Sequence, residues 1–350
     1  MRVLIRADAS VEVGAGHVMR CLTLAEQLSD RGAEVAFVCR DLPGAMFEQL
    51  QERGFRSARL PPAVAARTPQ AVDAKETIEA AASLFSGEVD WLVVDHYGLA
   101  SPWEAMLRPR AGRIMVIDDL ADREHDCDLL LDQNYYSGLE RRYDGLVPKP
   151  CRMLLGPSYV LLRPEFAAAR QKLRQRDGSV TSVLLFFGGS DPVNETQKAV
   201  EALKLLNLPH LAAQVVVGAG NENRARIEAL CAGLPNATFH CQVSNMAEMI
   251  LNADLGIGAG GSSMWERCCL GLPTITVVFA ENQLRTTEDV AATGAIDYLG
   301  WSHRLGIEDY ARAILRMMES PETVKKISAV ALGVLGKPGP SVAELMLEMA

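Results

Sequence analysis

Three clusters in this chain combine residue types and spacings suited to chemistry on a phosphorylated ligand. The first, Gly14-Ala15-Gly16-His17, follows a short apolar strand and opens an amphipathic helix. Glycine permits φ > 0 and lets a ligand approach the backbone closely. The helix start adds unpaired N–H groups and partial positive charge. Two readings fit His17: a polar side chain bonded locally near a helix start, or a base that the helix dipole keeps neutral and able to accept a proton. Met19 and Arg20 stand where a dinucleotide fingerprint would carry further glycine, so Gly14 and Gly16 do not point to NAD.

The second cluster, Gly188-Gly189-Ser190-Asp191, ends an apolar run and leads into another helix. It reads as a tight turn capped by Ser190 or Asp191, or as a phosphate cradle. The third, Gly260-Gly261-Ser262-Ser263 with Glu266, has the same strand-to-helix position. Ser263 and Glu266 have capping-box spacing, while a carboxylate one turn into the helix also suits the two hydroxyls of a ribose. Asn282 and Gln283 add polar groups after the next apolar run. In the first half, Asp95-His96-Tyr97 and Asp132-Gln133-Asn134 each follow an apolar run and are candidates either to contact a sugar or to build their loops. Asp8 or Asp95 is a candidate to orient His17. Asp118-Asp119 and Asp126-x-Asp128 invite a metal reading, but no His or Cys cluster has ligand spacing, and no metal site is expected.

These residues need a frame. Short apolar runs at Val3–Ile5, Val35–Cys39, Trp91–Val94, Ile114–Ile117, Leu129–Leu131 and Met153–Leu155 alternate with amphipathic stretches. The pattern repeats at Val183–Phe187, Gln214–Val217, Thr238–His240, Leu255–Ile257 and Thr274–Val278. Strands apolar on both faces and separated by helices predict parallel sheets covered on both sides, with ligands beyond the strands' carboxyl ends. The chain has 350 residues, enough for two such domains. The boundaries read as 1–163, a linker at 164–181, and 182–340. A final helix over 341–350, after the break at Lys337-Pro338-Gly339-Pro340, is free to join the first domain. The basic residues Arg170, Lys172, Arg174 and Arg176 read as a solvated linker face.

The net charge of −9, with scattered Lys and Arg, argues against a nucleic-acid partner. No apolar run approaches a membrane-spanning length, and nothing at the amino terminus resembles a signal peptide. Eight cysteines without C-x-x-C pairs suggest reduced thiols and a cytoplasmic enzyme.

The second-half motifs, with Gly271-Leu272-Pro273 before Asn282-Gln283, resemble the nucleotide half of GT-B glycosyltransferases, especially the UDP-N-acetylglucosamine-using lipid II type. The first half resembles the PseG family of UDP-2,4-diacetamido-2,4,6-trideoxy-β-L-altropyranose hydrolases of pseudaminic acid biosynthesis. The likeness is carried by Gly14-Ala15-Gly16-His17-Val18-Met19-Arg20-Cys21, Val94-Asp95-His96-Tyr97-Gly98, Ile117-Asp118-Asp119-Leu120, Leu131-Asp132-Gln133-Asn134 and Leu155-Gly156-Pro157-Ser158-Tyr159. It implies a GT-B fold, two Rossmann-like domains facing each other across a cleft. It also implies metal-independent hydrolysis of a UDP-sugar by water with inversion at C1, without a cofactor. His17 would be the base, and Gly188–Ser190 and Gly260–Glu266 would hold UDP. Sequence around Arg67–Gly87 and beyond Ser302 departs from the length expected of that family. A GT-B glycosyltransferase, and a nucleotide-sugar-binding protein without chemistry, are the alternatives.

Overall fold

The computed structural model describes residues 1–11, 14–62, 68–336 and 339–350. Two compact units are present: Met1–Asn134, Gly138–Leu161 and Pro338–Ala350 form one, and Tyr135–Ser137 with Leu162–Lys337 form the other. In the first, β1 (Arg2–Ala7), β2 (Glu34–Arg40), β3 (Arg56–Leu60), β4 (Val89–Asp95), β5 (Ala111–Ile117), β6 (Leu129–Asp132) and β7 (Arg152–Leu155) make one parallel sheet. Its order is β3-β2-β1-β4-β5-β6-β7. In the second, β8 (Ser182–Phe186), β9 (Ala212–Val217), β10 (Ala237–Cys241), β11 (Leu255–Ala259), β12 (Thr274–Val278) and β13 (Asp297–Trp301) make another. Its order is β10-β9-β8-β11-β12-β13, again parallel throughout.

Alternation along β1 shows why these sheets are buried on both faces. Val3, Ile5 and Ala7 enter one apolar cluster with the helix Gly16–Ser29, while Leu4 enters another with Trp103 and Val116. Arg6 shares the face of Leu4 and is fully buried, so it must be paired. Asp8 and Asp73 both take its guanidinium, and Arg40 joins Asp73 at 2.6 Å. Asp73 comes from the helix Gln70–Leu84, within the stretch Arg67–Gly87 that the sequence reading set apart. Arg67, at the start of that stretch, and Lys337-Pro338 of the late break lie outside the described residues. The helix Val342–Met349 begins at a capping box between Ser341 and Glu344. It buries Val342, Ala343, Leu345 and Met346 in the same cluster as Leu24 and Leu28.

Two features differ from the sequence expectation. β3 and β13 were not expected, and both are edge strands whose residues are largely half-exposed, so they lack an apolar run. The basic residues at 170–176 do not form a solvated face. The helix there is only Pro164–Arg170, and three of the arginines reach for backbone carbonyls. Arg170 donates to the oxygens of Cys269 and Leu332, Arg174 to Leu251 and Ala253, and Arg176 to Ile250, Ala253 and Leu270. Helix carboxyl ends carry unpaired carbonyls and partial negative charge, which a guanidinium satisfies, and Arg174 also pairs with Asp254. Of the four, Lys172 and Arg174 are exposed, Arg170 is half-buried and Arg176 is buried. Arg176→Ala should therefore lower unfolding free energy by about 2–3 kcal/mol, read as a reduced urea midpoint.

Among the described residues, no helix is long and apolar enough to cross a membrane.

Candidate functional site

In each unit the strand order reverses beside its first strand, between β1 and β4 and between β8 and β11. Ligands of open α/β sheets bind outside the carboxyl ends of strands at this switch point, where adjacent loops diverge. The loops at Gly14–His17, Asp95–Tyr97, Gly188–Ser190 and Gly260–Glu266 fall there, whereas Asp132–Asn134 and Asn282–Gln283 follow β6 and β12. His17 follows β1, and Asp95 ends β4 directly opposite Ala7 in register.

His17 and Asp95 are joined. The His17 Nδ1 lies 2.5 Å from Asp95 Oδ1, with His17 7% exposed and Asp95 fully buried. Burial alone would raise the Asp95 carboxyl, but the Arg20 guanidinium and His17 outweigh it and hold that carboxyl well below the usual range. Arg20 grips both carboxylate oxygens, Nε to Oδ2 at 2.6 Å and Nη2 to Oδ1 at 2.7 Å. Its Nη1 reaches Asp119 Oδ2 at 3.0 Å. An ionised Asp95 is an acceptor only, so His17 Nδ1 must carry the proton. In the neutral ring this leaves Nε2 as an acceptor. The Tyr97 ring meets the imidazole edge-on, with centroids 4.5 Å apart.

Asp8, the other candidate to orient His17, is committed elsewhere. It accepts from Arg6 and the backbone N of Arg40, and it lies 3.3 Å from His96 Nε2. The other His96 nitrogen accepts from Gly98 N at 2.9 Å. Both ring nitrogens of His96 are thus engaged within the unit. Asp132 is also turned inward: it accepts from Asn134 N, Arg142 Nε and the Tyr143 hydroxyl and is fully buried. Burial, with nearby Asp119, pushes its carboxyl up to about 7 against those donors. The Gln133 side chain accepts from Leu161 N and is 3% exposed. Of the six first-unit residues considered for sugar contact, Asp95, Asp132 and Gln133 are buried, while His96, Tyr97 and Asn134 are half-buried. The sequence read Asp132, Gln133 and His96 by their position after a strand, which does not reveal the direction of a side chain. The paired acids have partners too: Asp118 pairs with Arg123, Asp119 with Arg20, and Asp126 and Asp128 with Arg108.

In the second unit, Asp191 caps the helix Glu195–Leu206. Its carboxylate accepts from the N–H groups of Glu195 and Thr196 at 2.9 and 2.8 Å. These N–H groups are spent, so the open backbone of this turn is Gly188–Ser190. Gly188 has φ +101, and nothing stands where a Cβ would project from it or from Gly189. The neighbouring turn presses on this loop so closely that a Cβ on Gly218 would sit 2.3 Å from the Gly189 oxygen.

The glycines of the third loop divide by purpose. A Cβ at Gly260 would collide with Thr287 Oγ1 at 2.1 Å, whereas at Gly261 it would meet only Gln283 Nε2 at 3.6 Å. Gly260 is thus required by packing, and Gly261 faces open space beside Gln283. Asn282 is exposed in the first turn of the same helix, Glu281–Thr293. The capping box read from Ser263 and Glu266 is not formed. The helix Ser262–Cys269 has no side-chain cap, Ser263 Oγ accepts from Arg267, and Glu266 Oε1 accepts from Arg163 Nη2 at 3.1 Å. Burial pushes the Glu266 carboxyl up, with Arg163 opposing.

Sequence reasoning missed Arg20, Asp119, Arg163 and Arg267. Arg20 left a local signal, since it lies three residues after His17 on one helix face. The Arg163–Glu266 pair joins positions 103 apart and left none.

Two parallel α/β units of this strand order make a GT-B fold, and solved structures agree. MurG of Acinetobacter baumannii superposes with a TM-score of 0.62 over 99% of both chains at 15% identity. Residues 183–332 match the glycosyltransferase family 28 C-terminal domain. Over most of its length the chain is similar to PseG. It is 26% identical, over 84% of this chain and 97% of the relative, to the UDP-2,4-diacetamido-2,4,6-trideoxy-β-L-altropyranose hydrolase of Campylobacter jejuni. It is also 24% identical to the spore coat polysaccharide biosynthesis protein SpsG of Bacillus subtilis, over 91% of this chain and 90% of that one.

Proposed function

We propose that the protein hydrolyses a UDP-linked 2,4-diacetamido-2,4,6-trideoxy hexose to UDP and the free sugar, with inversion at C1. The observation that carries this reading is the His17–Asp95–Arg20 chain, which fixes the ring's tautomer and leaves Nε2 to take a proton. Water loses its proton to His17 Nε2 while its oxygen bonds to C1. The C1–O bond to the diphosphate breaks and its electron pair leaves with UDP. Asp95 stabilises the imidazolium so formed, as the buried carboxylate does in a serine-protease triad. UDP is a good leaving group, so its departure needs stabilisation more than a protein acid. Gly188, Gly189 and Ser190, together with Gly261, Ser262 and Ser263, offer N–H groups and hydroxyls for that charge. Glu266, Asn282 and Gln283 are proposed for the rest of the nucleotide, and Tyr97 and Asn134 for the sugar.

The family 28 domain and the likeness to MurG favour a second reading, transfer of the sugar to an acceptor other than water. One experiment separates the two. Purified protein incubated with the UDP-sugar and water alone should release UDP, and NMR should first detect the sugar with its C1 configuration inverted. UDP release only after an acceptor is added would select the transferase. A first-formed product with retained configuration would remove the direct attack of water.

A further inference from the structure

Arg267 is 3% exposed and has no carboxylate within salt-bridge distance among the described residues. Its sequence neighbour Glu266 turns instead to Arg163. The guanidinium donates from Nη2 to the Ala259 oxygen at 2.6 Å and from Nη1 to Ser263 Oγ at 3.1 Å, and its Nε has no partner. Burial without a counter-ion brings its pKa down to about 10 from 12.5.

The fold makes room for this side chain at a cost. Gly256 and Gly258 lie on one face of β11, a fully buried strand in which glycine is a poor choice. A Cβ on Gly258 would lie 2.3 Å from the Phe186 oxygen and 2.9 Å from Arg267 Nη1, and one on Gly256 would lie 2.8 Å from Thr274 Oγ1 and 3.2 Å from Arg267 Cδ. The two glycines thus answer to the Phe186 oxygen and Thr274 as well as to the arginine, which runs past both of them.

The contrast with Arg176 shows what is unusual. Arg176 is also buried without a carboxylate, but it serves the carbonyl end of the helix Met246–Asn252, where the helix dipole is negative. Arg267 points back along its own helix to Ser263, the second residue of Ser262–Cys269, where the dipole is positive. A buried cation beside a positive helix end is unfavourable until an anion arrives.

We infer that Arg267 is a buried counter-charge for the diphosphate of a nucleoside diphosphate seated on Gly261, Ser262 and Ser263. The inference rests on the nucleotide reading above and gives it a residue that does not touch the ligand. Arg267 acts partly through Ser263. Because Ser263 Oγ accepts from the guanidinium, its own proton is free to be donated to a phosphate oxygen.

The probes are UDP and uridine, which differ only in the diphosphate, titrated calorimetrically into the whole protein. Unaltered protein should prefer UDP. Arg267→Met should weaken UDP binding about tenfold or more, the scale of a lost charge-assisted contact, with uridine binding changed less than about twofold. Arg267→Lys, which keeps the charge, should restore most of the preference. Ser263→Ala should lower the UDP-to-uridine ratio in the same direction, and Arg267→Gln, which keeps polar donors without the charge, decides the matter if Arg267→Met does not fold. Equal weakening of both probes would make Arg267 a packing residue and overturn the inference, as would an unchanged ratio in a folded variant. Unaltered protein that binds both equally would sink the inference but leave a nucleoside site. Binding of neither would remove the nucleotide reading and the inference with it.

Discussion

Replacing His17 with Ala should lower kcat by about 10²–10⁴, the range for losing a positioned general base, while UDP affinity stays within about twofold. The separation follows from where the residues lie. His17 belongs to the first unit, and the loops proposed to hold UDP belong to the second. The variant should also fold, because His17 contributes a ring edge to Tyr97 and one bond to Asp95, while Asp95 keeps its Arg20 fork. Single-turnover measurement of UDP release, beside calorimetric titration of UDP, tests both halves. Normal release from His17→Ala would show that water needs no help from this ring. Joint loss of release and UDP affinity would make His17 a binding residue. His17→Asn, which restores some polarity without basicity, should be no faster than Ala.

The parts of this molecule that could be read in advance are those where one physical demand dominates a stretch of residues. β1, β4, β8 and β11 are buried on both faces, so their sequences are apolar without alternation, and the loops after them stand out by contrast. The loop glycines were visible, but their reasons were not. Gly261 would meet only Gln283 in ordinary contact, while Gly218, Gly258 and Gly260 answer to the Gly189 oxygen, the Phe186 oxygen and Thr287, partners supplied by distant parts of the chain. β3 and β13 were lost for the opposite reason, since an edge strand that is half exposed has no pattern to keep. Arginine was the type read least well. Arg20, Arg163, Arg174 and Arg176 were passed over or assigned to solvent because charge usually marks a surface. Each has a rigid fork whose partners lie up to 103 residues away, beyond any local window.

The orientation of His17 gives the second large effect. Asp95→Asn should reduce kcat by about 10⁴, the penalty when a triad carboxylate is made neutral and the imidazole adopts the wrong tautomer. Asp95 Oδ1 accepts from His17 and Arg20, and Oδ2 accepts from Arg20 and the Cys21 thiol. Whichever oxygen becomes NH2, it faces a guanidinium donor. The amide can relieve this at Oδ1 only by presenting a hydrogen to His17 Nδ1, which moves the ring proton to Nε2 and removes the base. The loss should fall on kcat and spare KM, and His17→Ala with Asp95→Asn together should be little slower than either alone, because the two act as one unit. Independent losses that multiplied would show that Asp95 works by another route. Stability supplies a separate check. Asp95 titrates below its ordinary 3.8 in the folded protein, so its contribution is complete above that value and is lost progressively as pH falls from it through the lower folded value. The unaltered protein should therefore be more stable than the variant at neutral pH, and the gap should narrow as the solution is acidified below about 4. A gap that instead widened with acid would mean that the carboxyl is protonated in the native state, and an uncharged Asp95 could not hold the ring as proposed.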